Sequence, residues 1–366
     1  MVNLEKQIKI SAPGRICLFG EHQDYLDLPV IPMAINLRVH IVATPRNDKY
    51  FYILLPDIGE KEVLDFSKNK ELAYTKKGDY FKSIYNVLYR KGVRFLTGFD
   101  CEIKGKIPIN SGTSSSSALN NIWCKFLLEI GENVKKEWKE PDKVGYFSYQ
   151  AEVVEFNEVG GMMDQLSTSI GNLNYIDFSN NCKITPIPSK LSTFVLGDSL
   201  QSKDTQKILS RTKLPALSAK CKINSSGFHF CYKNTRVEEI VIYKNLITEK
   251  EFRILRAMLK NRNITFQALK LLNTENIDHK AIGKLLTEHH KYLDKSLQIS
   301  TPKLNKMIKA AINAGAYGGK INGSGGGGCM FAYAPENPQK VANAIENVGG
   351  KSYIVKMGNG LKIENL

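Results

Sequence analysis

Ser111-Gly112-Thr113-Ser114-Ser115-Ser116-Ser117-Ala118 is the stretch on which the fold turns. Upstream of it, residues 99–104 read as a strand. Downstream, Leu119, Ile122, Trp123, Phe126, Leu127 and Ile130 recur at helical spacing and predict one continuous buried helix face. The loop between them, 105–117, is therefore expected to bind phosphate. Small residues let the backbone close on an anion, the first N–H groups of a helix are free to donate, and hydroxyls can donate or bind a metal cation. The alternative is a serine-rich helix cap with a flexible loop, but a cap requires a single hydroxyl. No Gly-Lys-Ser/Thr follows, so this is not a Walker-type loop.

Outward from this loop the chain mixes helices and strands. Stretches 38–44 and 50–55 are apolar and β-rich, 79–90 and 144–157 read as helices, and 166–170 begins another. Gly160-Gly161-Met162-Met163-Asp164-Gln165 places a half-buried carboxylate that needs a cation, with Arg15 as the candidate. Helix capping by Asp164 is the alternative. Nearer the start, an apolar strand stops at Gly20 and delivers Glu21, His22 and Asp24 on one turn. Three hydrogen-bonding side chains together suit a polyhydroxylated ligand, whose buried hydroxyls need partners. For His22 alone, a satisfied structural role is the alternative.

Beyond a polar, proline-containing boundary at 179–191, residues 193–200 read as a strand and helices dominate to about residue 313. Apolar β-type runs at 330–334 and 353–357 close the chain. Asn322-Gly323-Ser324-Gly325-Gly326-Gly327-Gly328 matches a dinucleotide glycine spacing, yet only 38 residues remain after it, too few for repeated βαβ units. Asn322 stands where a nucleophile elbow needs glycine. A backbone that closely approaches a ligand or the serine-rich loop accounts for these glycines, with a flexible turn as the alternative.

Composition bounds the reading. The chain has 366 residues, 42% hydrophobic and 24% charged, an ordinary globular balance with room for one large domain or two. No apolar run reaches the roughly 18–20 residues of a bilayer span. The start, Met1-Val2-Asn3-Leu4-Glu5-Lys6, lacks a secretory apolar core. The expected location is the cytoplasm, with no membrane partner. Seven cysteines without a C-x-x-C pair read as reduced, buried thiols rather than a disulfide frame or zinc site. A formal charge of +15 admits nucleic-acid binding. Lys and Arg are dispersed, however, so the expectation is a basic surface around a small anionic substrate and no nucleic acid.

In this order the elements resemble the GHMP small-molecule kinases, nearest the galactokinase branch. Ser11-Ala12-Pro13-Gly14-Arg15 through Gly20-Glu21-His22-Gln23-Asp24-Tyr25, then Ile31-Pro32-Met33-Ala34-Ile35, resembles the galactokinase signature. Residues 108–118 resemble the family's phosphate loop, Gly161-Met162-Met163-Asp164-Gln165 its Gly-Ile-Met-Asp-Gln segment, and 320–329 its glycine-rich third motif. Glu288-His289-His290-Lys291-Tyr292-Leu293 and Ile299-Ser300-Thr301-Pro302 are similar to its C-terminal half.

The resemblance implies an α+β, two-domain GHMP-kinase-like architecture. A mixed α/β N-terminal domain (1–185) and a helix-rich α+β C-terminal domain (186–366) would hold the active site in the cleft between them. It implies phosphorylation of a monosaccharide hydroxyl by ATP and Mg²⁺, at the anomeric position, in a monomer or homodimer. A kinase for a non-sugar alcohol such as mevalonate, or a non-catalytic ATP- and sugar-binding sensor, are the alternatives. Carried over by position, Arg15 and Asp164 form the catalytic pair, and Glu21, His22, Asp24 and Gly161 contact the sugar. Ser111, Gly112, Thr113, Ser114, Ser115, Ser116, Ser117, Gly323, Ser324, Gly325 and Tyr80 bind ATP, and Ser116 and Glu152 hold the metal. Two departures stand out. Leu26-Asp27-Leu28-Pro29 replaces an Asn/Gly-rich turn, and residues 200–207 lack the family's sugar-contacting tyrosine, so the sequence leaves the sugar unnamed.

Overall fold

β1 (Ile8–Phe19) and β2 (Ile31–Pro45) form a long antiparallel ribbon around which the first half of the chain is built. The computed structural model describes residues 7–109, 111–179, 182–188 and 190–364. The six-residue start and parts of the stretches expected at 105–117 and 179–191 lie outside the described residues. β3 (Tyr50–Leu55) and β4 (Glu60–Asp65) are followed by α1 (Tyr80–Arg90), β5 (Phe99–Gly105) and α2 (Ser115–Ile130). Next come α3 (Pro141–Tyr149), one π-helical turn (Gln150–Val154) where a continuous helix to 157 was expected, and α4 (Met163–Ile170). β6 (Asn174–Asp177) and β7 (Lys183–Pro186) form a small hairpin.

Strand alternation decides which face is buried. In β3, Phe51, Ile53 and Leu55 point inward while Tyr52 and Leu54 face out. The inward residues meet Trp123 and Phe126 of α2, with the Trp123 ring edge-on to Phe51 and Phe81. Its indole N–H donates to the Phe81 carbonyl at 3.1 Å, so the aromatic core leaves no donor unpaired there.

The second half supplies β8 (Phe194–Asp198), α5 (Thr205–Ser225), α6 (Glu249–Leu272), α7 (His279–Lys291), α8 (Pro302–Asn313) and β9 (Gly318–Ile321). It ends with β10 (Cys329–Tyr333), α9 (Pro338–Glu346), β11 (Lys351–Val355) and β12 (Lys362–Glu364). The antiparallel sheet β11-β8-β10-β9 is covered on both faces, which is why β10 is buried at every residue. Val195, Met330 and Ala332 pack toward α8 and α9. Phe194, Leu196 and Phe331 pack instead on Ile16, Leu18 and Ile31, at the far end of the β1–β2 ribbon. That shared core holds the two halves together. β12 returns to pair with β1, Lys9 opposite Glu364, giving the first sheet the order β12-β1-β2-β5-β3-β4. The end of the chain thus lies in the first sheet, not with the rest of residues 186–366.

Cys17, Cys101, Cys124 and Cys329 are buried free thiols, but Cys182 and Cys231 are half-buried and Cys221 is exposed, against the expectation of uniform burial. No described helix is long and apolar enough to cross a membrane.

Candidate active site

A cavity of about 560 Å³ opens between the start of α2, the turn after β1 and the glycine-rich loop between β9 and β10. Its floor is the serine loop. Ser114 sits at the N-cap of α2 in the left-handed region (φ 58°), makes no capping bond, and keeps its buried hydroxyl unpartnered. The first N–H groups of α2 are therefore not capped by that side chain. Gly112 (φ 84°) and Gly323 (φ 76°) meet backbone to backbone: a Cβ on Gly112 would lie 2.7 Å from the Asn322 carbonyl. Asn322 locks the contact, donating to the Gly112 carbonyl at 2.7 Å and accepting from the Cys17 N–H at 2.9 Å. The glycines thus serve a close approach of one loop to the other.

Arg15, buried in β1, reaches across to the first turn of α4. Its Nε and Nη2 donate to Asp164 Oδ1 at 2.9 and 2.7 Å, and its Nη1 donates to the Gly112 carbonyl. Both bonds to the carboxylate fall on one oxygen. Asp164 Oδ2 has no bond from the described residues, and the side chain is 33% exposed, on the cavity wall. Met162, not Asp164, is the N-cap of α4, so the capping alternative does not hold.

The turn expected to present three ligand-binding groups divides in two. Glu21 is buried and paired with Lys320 at 2.6 Å, while its other oxygen accepts from the Gly323 N–H. His22 uses Nδ1 with Tyr25 and Thr212 and Nε2 with the Ser324 carbonyl. Burial pushes its imidazole down to about 4, so it is neutral near pH 7. Both residues border the cavity, but their polar atoms are engaged in fastening the glycine-rich loop. Asp24 differs. Burial and the charge of Asp164 push its carboxyl up to about 6. Gly161 faces it so closely that a Cβ there would fall 2.1 Å from Asp24 Oδ2.

Glu152 lies on the π-helical turn, a form often found at functional sites, which brings the buried carboxylate to the cavity. Ser117 and Gln165 donate to its Oε2 at 3.1 and 2.7 Å. Burial raises its pKa, and the bond from Gln165 opposes that rise. Ser116 and Tyr80 also line the cavity, Tyr80 edge-on to Phe156. Two expected nucleotide contacts do not line it. Thr113 turns its hydroxyl back to the Pro108 carbonyl, and Gly325 is pressed against the Ile299 carbonyl.

Residues 79–172 match the model for the GHMP kinases N terminal domain, 268–351 that for GHMP kinases C terminal, and 3–45 the Galactokinase galactose-binding signature. The chain belongs to the GHMP kinases. It is 25% identical to human galactokinase over 378 residues, covering 98% of this chain and 93% of that protein. It is 27% identical to the mevalonate kinase of Thermococcus gammatolerans, covering 98% and 99%. Among solved structures, Lactococcus lactis galactokinase complexed with galactose superposes with a TM-score of 0.83 at 21% identity, covering 98% of this chain and 95% of that one. Methanococcus jannaschii mevalonate kinase gives 0.74 at 21%, covering 97% and 99%.

Three residues of this GHMP kinase escaped the sequence reading. Asn322 and Lys320 are nodes that only the folded chain reveals, since their partners lie 210 or more positions away. Lys203 lines the cavity from the segment before α5. Its position beside Asp204, an N-cap, and within the stretch that departs from the galactokinase pattern was the available signal.

Proposed function

We propose that this GHMP kinase transfers the γ-phosphoryl group of ATP to a monosaccharide hydroxyl, at the anomeric position, as a galactokinase-like enzyme. The observation that carries the proposal is the divided Asp164 carboxylate: one oxygen held by Arg15, the other open to a cavity between a serine-lined anion cradle and the galactose-binding signature. Asp164 Oδ2 takes the proton as the acceptor O–H bond breaks. The acceptor oxygen bonds to the γ-phosphorus while the bond to the ADP oxygen breaks, and ADP leaves. Arg15 fixes the orientation of the base and places positive charge beside the group in transfer. Such chemistry rests on positioning and electrostatics, and a base contributes about 10²–10⁴-fold.

ATP is assigned to the serine loop, Gly112, Gly323, Ser324 and the Tyr80 side of the cavity, and the sugar to Asp24 and Gly161. Magnesium fits Ser116 and Glu152. Glu152 is a buried carboxylate with no Lys or Arg within 4 Å among the described residues, and its raised pKa marks an anion lacking a cation. When bound, the metal neutralises phosphate charge.

The test is ADP release from Mg-ATP with galactose, glucose, arabinose, uronic acids and N-acetylhexosamines, with mevalonate as the control acceptor. One monosaccharide is expected to drive turnover. Turnover with mevalonate alone overturns the sugar assignment. Binding of ATP and sugar without ADP release marks a sensor instead of an enzyme.

A further inference from the structure

Three cations gather where the serine loop meets the glycine-rich loop, and two have carboxylate partners: Arg15 with Asp164 and Lys320 with Glu21. Lys203 has none. It lines the cavity just before α5, and no carboxylate of the described residues lies within 4 Å of its ammonium. Its one side-chain hydrogen bond is to Ser324 Oγ, at 3.2 Å. On its other side is Gly112, whose missing Cβ would stand 2.9 Å from Nζ. Burial and the nearby charge of Arg15 lower its pKa, against the more distant charges of Asp164 and Glu21, which raise it.

An ammonium withdrawn from water without a counter-ion is unfavourable unless an anion arrives to meet it. The surroundings say which anion. Gly112 belongs to the loop that begins α2 with an uncapped N-terminus, Ser324 to the loop stacked on it, and Arg15 donates to the Gly112 carbonyl. We infer that Lys203 contacts the phosphoryl group in transfer, on the side away from Arg15, and so acts as a second catalytic cation. The inference rests on the kinase reading above. As the acceptor oxygen closes on the γ-phosphorus and the bond to ADP breaks, the charge spreads over the phosphoryl oxygens. An ammonium and a guanidinium on either side stabilise that distribution more than they stabilise bound ATP. A Cβ on Gly112 would crowd this ammonium, in addition to the positive φ and the close approach of Asn322 that already call for glycine there.

The experiment uses the full chain as wild type, K203M and K203R. Calorimetry measures affinity for MgADP and for MgADP with aluminium fluoride, a mimic of the group in flight. ADP release gives kcat and acceptor KM. K203M should bind MgADP nearly as wild type, bind the fluoride complex about 10²-fold more weakly, and lose about 10²–10³-fold in kcat with little change in acceptor KM. K203R should recover part of both losses. The thermal midpoint of K203M should be unchanged or higher, because a half-buried ammonium without a carboxylate partner has been removed; a structural lysine would lower it. Equal fluoride affinity in wild type and K203M overturns the inference. So does a loss confined to acceptor KM, which would assign Lys203 to an anionic group on the acceptor. A wild type that releases no ADP with any acceptor sinks the kinase reading, and the fluoride comparison still decides Lys203.

Discussion

Two ion pairs of nearly equal length begin on the first strand and the turn after it, and they serve opposite ends. Arg15 meets Asp164 at 2.7 Å and Glu21 meets Lys320 at 2.6 Å. Lys320 and Glu21 are 0% and 1% exposed; Lys320 also donates to the Cys17 carbonyl and lies over the Phe331 ring, and Glu21 spends its other oxygen on Gly323. That pair is closed on every side. In the other, Arg15 is buried but Asp164 is one-third exposed, with an oxygen facing the cavity. Distance does not separate structure from chemistry here; a free lone pair on a solvent-reachable carboxylate does.

The comparison breaks most visibly at the closed pair. E21A should destabilise the fold by about 3–5 kcal/mol, because it strands a buried ammonium, and the double variant E21Q/K320M should recover most of that loss in denaturant titrations. A stability near wild type for E21A would mean that the pair is not closed. Next in size is G161A. Its new methyl must displace the Asp24 carboxylate, so acceptor KM should rise by about tenfold or more while the denaturation midpoint stays near that of wild type. An unchanged KM removes Asp24 from acceptor binding.

The smallest effect concerns protons. The Asp24 carboxyl titrates at about 6, raised from 3.8 by burial and by Asp164, so its bound proton favours the folded state. That stabilisation is complete below about pH 3.8 and is lost as pH rises through about 6. D24N keeps a neutral group at every pH. It should match wild-type stability near pH 4 and exceed it above pH 6, a difference read by urea titration across that range. No divergence between the two would place Asp24 in water.

Much of this was legible in the residues. The strand, serine loop and amphipathic helix at 99–130 fall where spacing puts them, since local periodicity and small-residue clustering are properties of the chain itself. The Arg15–Asp164 pair was also anticipated, as a half-buried carboxylate requires a cation. What the sequence could not display was direction. Glu21, His22 and Asp24 share a turn, yet two face inward to the glycine-rich loop and one faces the cavity; that choice depends on Lys320, Thr212 and Ser324, which are remote in the chain. The return of β12 to the first sheet is a long-range pairing of three residues, too short to leave a pattern. Glu152 reaches the cavity through a π-helical turn that ordinary helical spacing does not foresee.

The most direct test sets turnover against binding in a single variant. D164N keeps the shape of the side chain and a bond acceptor for Arg15 but loses the basic oxygen. Its affinity for a non-hydrolysable ATP analogue, by calorimetry, should stay within a few-fold of wild type, while ADP release with the preferred sugar falls by about 10²–10⁴-fold. Turnover close to wild type with nucleotide binding intact would contradict the assignment of Asp164 as the base.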